Sequence, residues 1–206
     1  MLKIWGRANS INVQKVLWCA EELGLPYQRI DAGMEYGVVN TAEYRKLNPN
    51  GLVPTLEDGN LVLWESNAIV RYLAARYGAG SLWPTDPAVR ADSDKWMDWQ
   101  VSTLWTRLRP VFWGLIRTPP EKRNAQEIET AYQKTREAFA ILDQALAGRQ
   151  YVAGDAFTMG DIALGVAAQR WFNLPVERPA APNLEAWYQR LRERPAFSKI
   201  VDHPLT

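Results

Sequence analysis

The sequence has one cysteine, Cys19, and one histidine, His203. A lone cysteine excludes an intramolecular disulfide framework and fits a reducing compartment. One residue of each kind also excludes a metal site built from histidine and cysteine, and no metal is expected. A Ser-His-acid triad needs an imidazole beside its serine, and a histidine in the tail is a poor partner for any serine near the start of the chain. That argues against a serine hydrolase. Charge of one sign is not in excess: 24 Lys and Arg against 23 Asp and Glu give a net charge of +1, which implies no nucleic-acid partner. No window approaches 18 uncharged apolar residues, so no membrane-spanning helix is expected. The first residues also lack the basic, apolar and small-residue order of a secretory signal, and a cytoplasmic protein is expected.

What is there is a chain of 206 residues, 47% hydrophobic, long enough to bury a core without disulfides. Ten tryptophans serve either that core or an aromatic-lined groove. The first 78 residues mix strands and helices. Leu2 to Trp5 reads as a strand. Asn12 to Leu23 has apolar residues at 13, 16, 17 and 20, one helix face, closed by Gly24. Tyr27 to Ile30 is a second strand, which makes a β-α-β unit with a parallel pair. After an irregular stretch and a short helix over 41–47, strands at 53–57 and 61–64 are joined by the turn DGN. Ser66 is expected to cap a helix that ends at Gly78. Residues 79–87, AGSLWPTDP, read as a linker. From 88 to 206 only helices are expected: one starting at Asp86-Pro87 and stopping or kinking near Pro110, one over 125–146, one behind the capping box TMGD at 158–161, and one over 184–191.

Three stretches carry chemistry. Ser10 stands between the first strand and the first helix, where it is a nucleophile, a ligand anchor or only a cap. The positive end of a helix dipole favours an anion. A thiol brought there ionises more easily, and the thiolate is the nucleophilic form. In that scheme the serine donates a hydrogen bond to the sulfur of a co-substrate, and no histidine is needed. In VPTL, Pro54 at a strand start marks either an edge strand or a cis Val53-Pro54 bend that turns the Val53 backbone outward, to pair with a peptide as an added strand would. In WESNAIV, Glu65 and Ser66 lie at a helix mouth. They are either a solvated acid and a cap, or a reader of an α-amino-acid head, with Glu65 for the ammonium and Ser66 for the carboxylate. A small peptide with an amino-acid head, a strand-like middle and a thiol meets all three, and glutathione has those parts.

Along nearly its whole length the chain resembles the cytosolic glutathione transferases of the serine-using, theta-like bacterial type. The resemblance is carried by SINVQKVLW, LNPNGLVPTLEDG and LWESNAIVRYLAARYG in the first part, and by WMDWQ and FTMGDIALG in the second. It implies a thioredoxin-like α/β domain at 1–78, a linker at 79–87, and an all-helical domain at 88–206 that lines the electrophile site. It assigns thiol activation to Ser10, with Asn9 and Asn12 as possible auxiliaries. Glutathione binding goes to Val53, cis-Pro54, Glu65 and Ser66, and Asn40 is a candidate for the glycyl end. Trp105, Arg109, Trp113 and Phe172 are candidates for the electrophile, combining aromatic area with a cation that steadies an anionic leaving group. The implied reaction is attack of the glutathione thiolate on a small apolar electrophile by a homodimer. Glutathione is then the co-substrate, and no cofactor is permanently bound. Two alternatives stay open: a glutathione-binding scaffold without turnover, and another glutathione-dependent enzyme such as an isomerase, reductase or dehalogenase.

Overall fold

The computed structural model describes all 206 residues, in two compact units, Met1–Trp83 and Pro84–Thr206. The division falls inside the 79–87 segment.

In the first unit, β1 (Leu2–Trp5) is followed by α1 (Ile11–Glu22) and β2 (Tyr27–Ile30). A 3-10 turn at Met34–Tyr36 and α2 (Ala42–Leu47) lead to the hairpin of β3 (Thr55–Asp58) and β4 (Leu61–Trp64), and α3 (Ser66–Tyr77) completes the unit. The sheet order is β2-β1-β3-β4. β1 runs parallel to β2, with Ile4 opposite Arg29, and antiparallel to β3, with Ile4 opposite Leu56. The apolar face read from the sequence is the one α1 buries: Val13, Val16, Leu17 and Ala20 are inaccessible or nearly so, as are Ile69, Val70 and Leu73 of α3. Ile4 and Leu56 meet them from the sheet with no exposed surface. Each of these valine, leucine and isoleucine side chains contributes about 1.5–3 kcal/mol by leaving water.

Two readings of this unit are corrected. β3 begins at Thr55, so Val53 and Pro54 lie in the bend ahead of it and not in the strand. Ser66 is the first residue of α3, and the capping position belongs to Glu65.

The second unit is helical throughout its regular structure: α4 (Pro87–Trp99), α5 (Trp105–Phe112), α6 (Ala125–Ala145), α7 (Met159–Asn173), α8 (Pro182–Arg192) and α9 (Pro195–Ile200). Asp86 starts α4 by accepting from the backbone N–H groups of Ala88 (2.7 Å) and Val89 (3.0 Å). Of the stop or kink expected near Pro110, the stop is not there. α4 passes through a π-helical stretch at Gln100–Leu104 into α5, Pro110 lies inside α5, and a second π-helical stretch extends the run to Arg117. A proline inside a helix costs about 3 kcal/mol. Burial of Leu108, Val111 and Phe112 on either side of it outweighs that cost.

α7 is the core of this unit, buried from Met159 to Trp171. Its start is closed by the capping box read from the sequence. Asp161, with no exposed surface, accepts from the N–H of Thr158 (2.9 Å), the N–H of Val152 (3.0 Å) and the indole N–H of Trp187 (2.9 Å). Burial raises its carboxyl pKa, and these hydrogen bonds work against the rise. Gly160 is required by close packing, because a Cβ there would lie 2.6 Å from the Ser93 carbonyl oxygen.

Candidate active site

Ser10, Val53, Pro54, Glu65 and Ser66 stand where β1 ends, β3 begins and α3 begins, and Asn40 stands in the segment before α2. The chain leaves β1 through Gly6, at φ +150°. A Cβ at Gly6 would come within 2.3 Å of Val13 Cγ2 and 3.2 Å of Val53 Cβ, so only glycine lets this strand exit pass so close to the Val53 bend. Arg7 N–H then donates to the Ala32 carbonyl (3.1 Å), and Ser10 N–H to the Arg7 carbonyl (3.3 Å). The result is a tight turn that ends on Ser10.

Ser10 occupies the N-cap position of α1 with extended backbone, φ −79° and ψ 124°, and its carbonyl starts the helix by accepting from Gln14 (2.9 Å). Its side chain makes no capping hydrogen bond, and the residue is buried at 6% exposure. A serine that caps uses its hydroxyl oxygen on the N–H two or three residues on. Here that hydroxyl is not so used, and the cap reading fails.

The Val53–Pro54 bond is cis, as expected. The bend is held by a network that sequence reasoning missed. Leu52 carbonyl accepts from the Tyr44 hydroxyl (2.7 Å) and from Asn48 Nδ2 (2.9 Å), which also donates to Thr55 Oγ1 (3.2 Å). The Tyr44 hydroxyl has one proton, given to Leu52, so in its 2.8 Å contact with Thr55 it accepts. Tyr44, Asn48 and Thr55 are all buried. The available signal was the asparagine of NPNG, a residue type that bonds nearby backbone.

Glu65 adopts φ +71° and ψ 111°, a left-handed conformation uncommon for any residue but glycine. It is exposed, and its side chain caps nothing. Ser66 is buried, and its hydroxyl donates to Asn12 Oδ1 (3.3 Å). Lys15 Nζ lies 3.5 Å from the same hydroxyl oxygen and donates to Asn67 Oδ1 (3.1 Å). Asn12 is thus engaged with Ser66 of α3. Asn9 is half-buried in the turn before Ser10. Asn40 is exposed, and its side-chain oxygen accepts from Arg45 Nη2 (3.0 Å) while Arg45 Nη1 donates to the Pro49 carbonyl (3.2 Å).

Arg7 was also missed. Its Nη1 is 3.2 Å from where a Cβ at Gly33 would stand, and Val53 lines the same spot at 3.5 Å. Burial lowers its pKa, and the charge of Glu35 opposes that shift. Cys19 is fully buried, and that burial raises its thiol pKa, so it is no nucleophile at neutral pH.

In the second unit Trp105, Arg109 and Trp113 recur every fourth residue along one helical run and share a face. Trp105 packs on Phe112 with ring centroids 6.2 Å apart. Trp113 is 38% exposed, with the Arg109 guanidinium 5.4 Å from its centre. Arg117, one turn further on, lies 4.9 Å from the same ring and 5.0 Å from Phe112. The four-residue spacing from Trp113 was its legible signal. Phe172 is stacked on Tyr188 of α8 at 4.4 Å. No group of three or more His, Cys, Asp or Glu side chains is placed to hold a metal ion. No helix is long and apolar enough to cross a membrane.

Residues 1–75 match the family model of the glutathione S-transferase N-terminal domain, and residues 104–195 that of the C-terminal domain. The chain is 48% identical to glutathione S-transferase GstB of Escherichia coli (strain K12), with all of both chains covered. It superposes with a TM-score of 0.96 on the theta class glutathione S-transferase of the citrus canker pathogen Xanthomonas axonopodis pv. citri, a structure with glutathione bound. There the identity is 53%, and 100% of this chain and 99% of that one are covered. A glutathione transferase of Bombyx mori aligns at 29% identity with a TM-score of 0.87, over 98% of this chain and 93% of that one.

Proposed function

This chain belongs to the glutathione S-transferase family, and from that premise we propose that it transfers glutathione to small apolar electrophiles by thiolate attack, with Ser10 holding the thiolate. The observation that carries the proposal is the Ser10 hydroxyl, buried at the N-terminal end of α1 and not spent on capping it. An anionic sulfur there gains a hydrogen bond from the hydroxyl and the favourable field of the helix end. The thiol proton leaves to solvent. The thiolate then forms a C–S bond to the electrophilic carbon as the bond to the leaving group breaks, and that group departs with the electron pair.

The rest of the peptide is held away from the sulfur. In this reading the Val53 backbone pairs with the cysteinyl backbone as an added strand would. Glu65 takes the γ-glutamyl ammonium, and Ser66 with the first N–H groups of α3 takes its carboxylate. Asn40, tied to Arg45, is the proposed contact of the glycyl end. Asn12, engaged with Ser66, is assigned to the γ-glutamyl side and not to the sulfur. Trp105, Arg109, Trp113 and Phe172 are the proposed electrophile contacts, with Arg109 steadying the anionic leaving group.

We further propose a symmetric homodimer, the commonest closed assembly, in a reducing cytoplasm that keeps glutathione as a free thiol, serving to remove toxic electrophiles. Light scattering of the purified chain and cell fractionation test these two placements. The reaction itself is tested by calorimetric binding of glutathione, followed by turnover against a panel of apolar aryl and alkyl halides. The expected result is stoichiometric release of halide with formation of the thioether. Glutathione binding with no thioether from any member would contradict the transferase reading.

A further inference from the structure

Lys15 stands one turn into α1 and is 1% exposed. An ammonium group taken out of water must be hydrogen-bonded to be tolerated. Two of its neighbours belong to the first turn of α3: Asn67 Oδ1 accepts from Nζ at 3.1 Å, and Ser66 Oγ lies at 3.5 Å. Both are neutral acceptors in that turn, so the ammonium meets α3 there through hydrogen bonds. Ser66 is itself fixed from a second side by Asn12, whose Oδ1 accepts its proton at 3.3 Å. The outer side of the same turn carries the backbone N–H groups and the helix-dipole field that favour an anion. Glu65, next in sequence, is exposed, at φ +71°.

We propose that Lys15 is a positioning residue for the glutathione head group. It fixes Ser66 and Asn67 from beneath and adds its charge to the field that the γ-glutamyl carboxylate feels, without touching the ligand. Its burial makes a charge at that depth act more strongly than that of a surface lysine would. The proposal rests on the glutathione reading above and assigns to that site a residue of α1 that neither Glu65 nor Ser66 reveals. A tether that only joins α1 to α3 would have the same hydrogen bonds, so the test must separate charge from tethering.

The experiment is calorimetry on the full chain with two ligands: glutathione, and 4-aminobutanoyl-cysteinylglycine, which lacks only the γ-glutamyl α-carboxylate. In Lys15→Met, affinity for glutathione should fall about tenfold or more, while affinity for the analogue stays within about twofold of wild type. Lys15→Arg should recover most of the loss. Equal losses for both ligands, or unchanged glutathione affinity in folded protein, would overturn the proposal. If Lys15→Met does not fold, Asn67→Asp decides. A carboxylate set against Nζ should weaken glutathione selectively, and loss of neither ligand or of both alike overturns the proposal. Wild type that fails to bind glutathione overturns the underlying reading as well, an outcome distinct from an unselective loss in the variants.

Discussion

α7 in the helical unit and α1 and α3 in the α/β unit begin in opposite ways. At α7, the capping box of Thr158 and Asp161 closes the helix start, the Gly160 N–H donates to Ser93 Oγ (3.0 Å), and Asp161 also collects donors from Val152 and Trp187. At α1 and α3 the N-cap residues are Ser10 and Glu65, and neither side chain caps its helix. A start that satisfies its own donors stabilises the fold. A start whose side chain is withheld can offer those donors to a ligand. Within one chain, the same capping vocabulary of serine, threonine and acid is therefore used at one helix start and withheld at two others, and the hydrogen bonds distinguish them where the residue types do not.

The comparison is broken most severely at the closed start. Asp161→Ala leaves three buried donors of Val152, Thr158 and Trp187 without their acceptor, at about 1–3 kcal/mol each. The melting temperature should fall by about 6 °C or more, at roughly 2–4 °C per kcal/mol for a chain of this size. A melting curve within about 2 °C of wild type would mean that the network is not structural. At the open start of α3 the expected loss is in ligand affinity. Glu65→Ala should weaken glutathione binding about tenfold with little change in melting temperature, and calorimetry that returns the wild-type affinity would remove Glu65 from the site. The smallest effect is expected at Asn12. Asn12→Ala frees the Ser66 hydroxyl and should weaken binding by about 0.5–1.5 kcal/mol while leaving the bound thiol's titration in place. A shifted titration would return Asn12 to the role of Ser10's auxiliary.

The sequence made much of this legible, for local reasons. The bounds of β1, β2 and β4, the buried face of α1 and the capping box of α7 all follow from periodicity and signals within a few residues. What it hid lies between distant residues. Lys15 meets Ser66 and Asn67 across 51 and 52 positions, and Asn12 meets Ser66 across 54. Nothing in SINVQKVLW says which polar residue faces which element. Pro110 reads locally as a place to stop, and the burial of Leu108, Val111 and Phe112 beside it, which carries the helix on, is a tertiary effect. VPTL has the apolar content of a strand, but the hydrogen bonds of the bend at Leu52 and Val53 go to Tyr44 and Asn48. Serine is a preferred capping residue, which points to Ser66, and the left-handed Glu65 that takes the position gives no sign in its identity.

The central claim is that Ser10 holds a thiolate and forms no covalent intermediate. Its most direct test is the pH dependence of the thiolate absorbance in the glutathione complex, wild type against Ser10→Ala. The variant should fold and bind glutathione, because the ends of the peptide are held by other groups. Its bound thiol should titrate at higher pH, since one donor to the anion is gone, and its turnover should fall by about 10²–10³, as when an oxyanion donor is removed. Titration curves that overlay, with turnover retained, would contradict the account and leave Ser10 a residue of the turn alone.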